Sequence, residues 1–493
     1  MKSETKIHTV LWLILYAVLL LFSTGKVAFP PAAWVAPIFA LHVTRQRRPL
    51  RGALLIAAVS YLPALLSFKG ATSASMIHPA ADYVFFVVTA LLSSLPYLVD
   101  RIVVGWVQDD AGRTPLWATL AFPLAATALD YLTLGSSSVG TFGASGYSQF
   151  GLTPVMQWVA ITGIWGLTFI VHGFASVIAW AWSLNFAWPT VRRGVIALTL
   201  VLVVVFGYGG GRLLVNRQPD RTVTVGGYAG QTSMVSLMHT LETSESAFTE
   251  AAVAAHQDYL AQTRSLAAQG AKIVLWSEGA GIGFEPEVNA LVAEGATLAD
   301  ELDIYLAMPT FTLYPGEDRK PENVLVIADP SGDLVLEHVK YGGSEVEGTL
   351  PGDKILQTVE TPYGTLSGVI CWDADFPQIV AQAGRQDVDL LLIPSNDWFE
   401  IRNIHAEMAV FRAVENATAV FRQTSDGVSI TSDALGRVLN RQDTFEGAHA
   451  QLVDVPLHQA QTLYPRLGEW AGTASPIGLL LVGLVGYFER KRK

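Results

Sequence analysis

Cysteine and charge are what this chain has least of. Among 493 residues there is one cysteine, Cys371, and only 15% of positions are Asp, Glu, Lys or Arg. A lone cysteine forms no intrachain disulfide and excludes cysteine-rich zinc sites. The ten histidines include no His-Glu-x-x-His pattern and no close pair, so no metal is expected. No glycine-rich phosphate loop is present: Gly207–Gly211 ends an apolar run instead of leading a strand into a helix. No cofactor is expected. Basic residues are scarce in the middle of the chain, which removes the positive face that nucleic-acid binding needs.

Apolar length takes the place of charge. Mean hydropathy is +0.36. Seven apolar segments fill the first 210 residues, near 8–24, 27–43, 52–68, 83–106, 115–134, 155–182 and 192–210, and an eighth lies near 473–488. Each approaches the ~20 residues that cross ~30 Å of hydrocarbon. The second carries Pro30, Pro31 and Pro37. The first follows Lys2 and Lys6 as a signal peptide would, but no small-x-small cleavage site follows it, so it is read as a span.

The charge that remains is segregated. Residues 1–221 hold 15 basic and 7 acidic side chains, residues 222–459 hold 12 and 34, and residues 460–493 hold 5 and 2. An acidic, water-facing domain (222–459) thus sits between a seven-span helical region (1–221) and a last span with a basic tail (460–493). Lys2 and Lys6, Arg45–Arg51, Arg101 and Arg113, Arg192 and Arg193, and Arg490–Lys493 all fall on one side of an eight-span bundle. The positive-inside rule makes that side cytoplasmic, with both termini, and puts the acidic domain outside. The loop Gly135–Pro154 has no charged residue. It reads either as a flexible connector or as an aromatic rim at the lipid surface. Asp82, Asp100 and Asp130 lie in or beside spans, where carboxylates are either interfacial or functional.

Between residues 222 and 459, strand-like and helix-like patterns alternate. Continuous apolar strands such as that read at Asp389–Pro394 imply an α/β layered sheet covered on both faces. Three strand-like runs end on reactive groups: Leu275-Trp276-Ser277-Glu278, His338-Val339-Lys340 and Gly368-Val369-Ile370-Cys371. Strand ends are where open α/β folds assemble their sites. Together these residues allow thioester chemistry. Glu278 takes the thiol proton, Cys371 attacks a carbonyl, and Lys340 with the backbone N–H of Trp372 faces the oxyanion. Bland readings stand beside each: a helix-entry carboxylate, a solvated lysine, a small buried hydrophobe.

The Glu278–Lys340–Cys371 order resembles the nitrilase (carbon–nitrogen hydrolase) superfamily. So do Pro394-Ser395-Asn396-Asp397-Trp398-Phe399, the run from Phe411 to Arg422, and Asp426-Gly427. A domain of this kind between spans seven and eight, with Gly146-Tyr147-Ser148-Gln149 and Gly163-Ile164-Trp165-Gly166 before it, is similar to the bacterial apolipoprotein N-acyltransferase family. The resemblance implies an αββα sandwich on a membrane bundle in the bacterial inner membrane, acting as a monomer. It also implies a phospholipid acyl donor, a Cys371 thioester, and the α-amine of a diacylglyceryl-cysteine lipoprotein as acceptor. The family's lysine is followed by His-x-x-Pro-Phe-Gly-Glu, whereas Lys340 is followed by Tyr341-Gly342-Gly343-Ser344-Glu345-Val346-Glu347. Counting back from Pro351-Gly352-Asp353 favours Glu345 as the supporting glutamate, with Glu347 as the alternative. Trp372-Asp373 stands where the family has Tyr-Glu. Trp398 and Phe399 are either core aromatics or walls of an acyl groove, and His405 reads as a helix histidine. The competing functions are a membrane-tethered amidase that passes the acyl group to water and a scaffold with an inactive domain.

Overall fold

The computed structural model describes residues 6–492 apart from 73–77, 79, 111, 136, 218, 220, 446, 458 and 459. Lys2, Ser136 and Lys493, which enter the topology and loop readings above, lie outside the described residues. The chain divides into two compact units. One comprises residues 1–136, 143–214 and 467–493, and the other residues 137–142 and 215–466.

The first unit is helical. Its main helices are α1 (Lys6–Leu21), α2 (Pro30–Arg45), α3 (Pro49–Phe68), α4 (Ala81–Val107), α5 (Ala121–Leu134), α6 (Val159–Ser183), α7 (Trp188–Val215) and, from the far end of the chain, the helix Trp470–Arg492. Among the described residues, five (α3, α4, α6, α7 and Trp470–Arg492) are long and apolar enough to cross a bilayer, and α1 is a shorter apolar helix. Helices of this kind mark a membrane protein. With 16 and 14 residues, α2 and α5 are shorter than the expected segments. At 1.5 Å per residue they reach only roughly 24 and 21 Å. Proline is favoured in the first turn of a helix, so α2 starts at Pro30 and leaves residues 25–27 in a separate 3₁₀ turn, while Pro37 is accommodated inside α2. A second such turn, Leu116–Leu120, precedes α5.

Ala36 and Ala40 of α2 and Ala175 and Ala179 of α6 share one buried cluster, where small side chains let helices approach closely. The three carboxylates singled out in the sequence each have structural partners. Asp100 accepts from Arg45 Nε and Nη2 at 2.9 and 2.8 Å. Asp82 accepts from Gly70 N at 2.7 Å and Thr72 Oγ1 at 2.5 Å. Asp130 accepts from Ser145 N at 3.1 Å.

The second unit is built on two sheets. In chain order, its strands are β1 (Arg221–Ala229), β2 (Ile273–Trp276), β3 (Gly281–Phe284), β4 (Tyr305–Leu313), β5 (Glu322–Ala328), β6 (Leu334–Val339), β7 (Thr358–Thr361), β8 (Gly364–Gly368), β9 (Leu390–Asn396), β10 (Ala419–Ser425), β11 (Val428–Ser432), β12 (Val438–Asp443) and β13 (His449–Leu457). The first sheet runs β13-β1-β2-β4-β5-β6 with β3 beside β4, and the second runs β12-β11-β10-β9-β8-β7. In both, a parallel centre (β1-β2-β4 and β8-β9-β10) is flanked by antiparallel edges. Its helices include α8 (Met234–Thr243), α9 (Glu245–Ala268), α10 (Glu285–Leu302), α11 (Ser344–Glu347), α12 (Pro377–Arg385) and α13 (Arg402–Asn416), with α14 (Trp470–Arg492) back in the first unit.

Three apolar layers set the architecture. Val225, Leu275 and Leu325 of the first sheet meet Leu366, Leu392 and Phe421 of the second. Tyr259, Leu266, Leu291 and Leu298 of α9 and α10 cover Val274 and Trp276 on the outer face of the first sheet. Ile379, Ala383, Ala409 and Ala413 of α12 and α13 cover Leu391, Ile393 and Val420 on the outer face of the second. This is the expected αββα layering. The central strands β2 and β9 are buried on both faces, which is why Ile273–Trp276 and Leu390–Ile393 are continuously apolar. Helix α9 forms because Ser244 caps it, accepting from Ala247 N at 3.2 Å, and because Phe248, Ala252, Tyr259 and Leu266 repeat along one buried stripe.

Candidate active site

Each of the three reactive strand ends leaves the sandwich at a turn that its local sequence dictates. The chain leaves β2 through Ser277 and Glu278, turns at Gly279, whose φ is 75°, and continues in the same direction beside β4 as β3. A Cβ there would also lie 2.7 Å from the sulfur of Met234, so any other residue is strained in its backbone and displaces that side chain. Lys340 follows β6, its N–H bonded to the Asn323 carbonyl at 2.9 Å. Beyond β8, Val369 N still pairs with the Leu392 carbonyl at 3.0 Å, and Cys371 then opens a 3₁₀ turn, Cys371–Asp375. Its φ of 47° lies in the left-handed region, where non-glycine residues are strained.

Asp373 ties the cysteine turn to the lysine loop. Its Oδ2 accepts from Ile370 N at 3.0 Å and from His338 Nε2 at 2.8 Å. Its Oδ1 accepts from Tyr341 N at 3.0 Å and Gly342 N at 2.6 Å. A Cβ on Gly342 would fall 2.5 Å from the Trp372 carbonyl carbon, and one on Gly343 would enter the Trp372 ring. The Gly342-Gly343 pair is therefore the local counterpart of a tryptophan after the cysteine: the loop must lie flat against the indole.

Around Lys340 one ammonium faces two carboxylates. Glu278 is 4% exposed and Lys340 1%. Lys340 Nζ donates to Glu278 Oε1 at 2.7 Å and to Glu347 Oε1 at 2.5 Å. Asn323 Nδ2 donates to the same Glu278 oxygen at 2.8 Å, and Asn396 N to the other at 2.9 Å. The second glutamate on the lysine is thus Glu347, not the expected Glu345, which is exposed. Counting back from Pro351 treats the loop as extended, whereas residues 344–347 coil into the single turn α11 and carry Glu347 back to the ammonium. Burial alone would push the Lys340 ammonium down, but Glu278, Glu347 and Cys371 hold it well above the ordinary lysine range. Burial and the Glu278 charge push the Cys371 thiol up, partly opposed by Lys340 and Arg422. The thiol rests protonated, its Sγ 3.8 Å from the Asn396 carbonyl. Attack then requires a base at the moment of reaction, and a carboxylate with the charge and position of Glu278 can supply it.

Trp398 packs edge-on against the Trp372 ring, centroids 6.2 Å apart, at the border of the inter-sheet core. Phe399 is half-exposed, stacks edge-on with Phe445 at 5.0 Å and lies under the Arg402 guanidinium. The two neighbours in sequence therefore do different things.

Sequence reasoning assigned no role to Asn323 or to a buried ionic group behind the nucleophile. Asp397 accepts from Arg422 Nη2 at 2.8 and 2.9 Å and from His405 Nδ1 at 2.8 Å, and His405 Nε2 lies 3.4 Å from Asp375 Oδ2. The only sequence signal was polar residues inside otherwise apolar strands. Donor atoms of Cys371, Asp397 and His405 lie within 4.8 Å of one another, but Arg422 already occupies the cation position against Asp397. Burial pushes the His405 imidazole down, yet Asp375 and Asp397 raise it to about 9 from the ordinary 6.5. A raised value means the folded state favours the proton. The stabilisation, on the order of 3 kcal/mol, is complete below pH ~6.5 and lost as pH rises through ~9. Melting temperature of the full protein should fall across that window, and His405→Gln should flatten the fall. An unchanged pH slope in that variant would count against this assignment.

Residues 229–463 match the family model described as carbon–nitrogen hydrolase, and residues 16–177 match that of the apolipoprotein N-acyltransferase N-terminal domain. The chain is 23% identical to an apolipoprotein N-acyltransferase of Geobacter metallireducens, over 97% of this chain and 95% of that one. It is 22% identical to apolipoprotein N-acyltransferase 2 of Treponema denticola, over 70% and 71%. Among solved structures, an amidase from Nesterenkonia sp. aligns at 20% identity and a TM-score of 0.37, covering 48% of this chain and 91% of that one.

Proposed function

Because the chain belongs to the apolipoprotein N-acyltransferase family, we propose that it is a membrane acyltransferase that N-acylates lipoproteins through a thioester on Cys371. The observation that carries the reading is the buried thiol on a strained turn, in one unit with the Glu278–Lys340–Glu347 group, in a chain whose residues 16–177 match the family's own N-terminal domain.

In the first half-reaction Glu278 takes the Cys371 proton as sulfur attacks the ester carbonyl of a phospholipid. A C–S bond forms and the acyl C–O bond breaks. The proton returns from Glu278 to the departing alkoxide, giving a lysophospholipid. In the second, the free α-amine of a diacylglyceryl-cysteine attacks the thioester. A C–N bond forms, the C–S bond breaks, and the amine's proton passes through Glu278 back to sulfur. Lys340 and the Trp372 N–H face the oxyanion in both tetrahedral intermediates, where fixed donors act most strongly. Glu347 and Asn323 hold Lys340 and Glu278 in register, Asp373 holds the cysteine turn, and Trp398 borders the acyl path.

Eight spans, with basic flanks and both termini in the cytoplasm, put the acidic unit on the outer face of a bacterial inner membrane, where both lipid substrates reside. A monomer suffices, since every group named comes from one chain.

The test uses purified protein, phospholipid with a labelled acyl chain, and a diacylglyceryl-cysteine peptide. The expected products are lysophospholipid and N-acylated peptide, with a labelled Cys371 adduct when the peptide is omitted. Labelled free acid in place of acylated peptide would replace this reading with an amidase-like hydrolase, and no adduct at all would remove the enzymatic reading.

A further inference from the structure

The segment between α5 and α6 lies in the sequence of the helical unit, yet residues 137–142 pack as part of the catalytic unit. Thr141 is fully buried there. Its N–H and its hydroxyl both donate to the backbone carbonyl of Asp375, at 2.8 and 2.9 Å. Gly140, at φ 60°, lies against the same carbonyl, and a Cβ on it would stand 2.6 Å from the Asp375 carbonyl carbon.

Asp375 is the last residue of the 3₁₀ turn that Cys371 opens. A carbonyl at the end of so short a helix has no partner within the helix, and Thr141 supplies two. The Asp375 carboxylate meets His405 on the other side. The front of the turn is held by Asp373 against Ile370 N. Cys371, at its positive φ, is thus fixed from both ends, and the rear clamp comes from a segment more than 220 residues away in the chain.

We propose that Thr141 is a positioning residue for Cys371. The loop that carries it clamps the nucleophile turn through the Asp375 carbonyl, so the catalytic unit is complete only with residues 137–142 in place. This rests on Cys371 being the nucleophile. Thr141→Val keeps the shape and the backbone N–H but removes the hydroxyl donor. Thr141→Ser keeps the donor. Gly140→Ala drives a methyl against the carbonyl and opposes left-handed backbone.

The full-length protein in detergent gives two readouts: the rate of Cys371 alkylation by iodoacetamide, and the single-turnover rate of thioester formation from labelled phospholipid. The valine variant should form the thioester about tenfold more slowly, with the phospholipid dependence of the rate unchanged, because misplacement of a nucleophile acts on the chemical step. Its alkylation rate should depart from wild type as well. Gly140→Ala should be slower still, and Thr141→Ser should stay within about twofold of wild type, as a retained donor requires. A valine variant that melts lower but forms the thioester and alkylates at wild-type rates would reduce Thr141 to packing and overturn the proposal. If the wild type formed no thioester, the acyl-transfer reading would fall, while the alkylation rates of the valine and serine variants would still decide the clamp.

Discussion

Cys371→Ser should abolish the labelled acyl adduct and lower acyl transfer by on the order of 10⁴-fold or more. The effect is large because nothing else in the unit can substitute. The chain has no second cysteine, and the histidine nearest the thiol is held protonated between two carboxylates. A serine hydroxyl needs a far stronger base than a thiol, and Glu278 is a carboxylate already accepting from Lys340, Asn323 and Asn396. The substitution is close in size, and the buried hydroxyl has the Asn396 carbonyl, which Sγ faces at 3.8 Å, as an acceptor, so the melting temperature should fall far less than activity does. Activity and stability therefore separate, and a serine variant with substantial transfer would move the nucleophile elsewhere. The same geometry gives the pH response of the wild type. Burial and the Glu278 charge keep the thiol protonated, so its reaction with iodoacetamide should climb steadily into the alkaline range instead of levelling near neutrality.

The catalytic group was legible because each member lies just past a strand: Glu278 after β2, Lys340 after β6, and Cys371 after β8, which ends at Gly368 and does not run on to Ile370 as the sequence suggests. Glu278, Lys340 and Cys371 are reactive side chains following runs such as Ile273–Trp276, and that contrast survives without any knowledge of tertiary structure. The layering was legible because strands buried on both faces carry unbroken apolar runs such as Leu390–Ile393. What failed was anything decided by distant partners. Strands β3, β7, β12 and β13 have no counterpart in the sequence reading. They are very short, or they lie at sheet edges with mixed burial, and β13 exists because it pairs with β1 across the whole unit. Glu347 was the second choice because a one-turn helix between two glycines, Gly343 and Gly348, carries no periodic signal. Asp397, His405 and Arg422 were visible as polar residues in apolar surroundings, but their mutual contacts join three separate elements. Thr141 is the extreme case. It sits in a loop readable as a connector or a lipid-facing rim, and only the fold brings it to Asp375.

Glu278→Gln is the second large effect, and it should split two reactions of the same sulfur. As the base of the proposed mechanism, Glu278 contributes ~10²–10⁴ to acyl transfer. Its two oxygens receive three donors and no acceptor: Lys340 and Asn323 on Oε1, Asn396 N on Oε2. A glutamine must point its amide nitrogen at one of those donors. That leaves a buried N–H facing another N–H, at a cost of roughly 1–3 kcal/mol. Thioester formation should therefore drop by at least two orders of magnitude with a measurable loss of melting temperature. Alkylation of Cys371 should move the other way. After burial, the Glu278 charge is the largest influence raising the thiol, while Lys340 and Arg422 lower it. Removing that negative charge leaves Lys340 and Arg422 opposed by burial and Asp397 but no longer by Glu278, so the thiolate fraction at neutral pH rises and iodoacetamide should react faster than with wild type. Loss of acyl transfer together with faster alkylation identifies a missing base beside an intact nucleophile. Loss of both would mean that the mismatched amide had displaced the cysteine turn. Acyl transfer within tenfold of wild type would take the base role from Glu278.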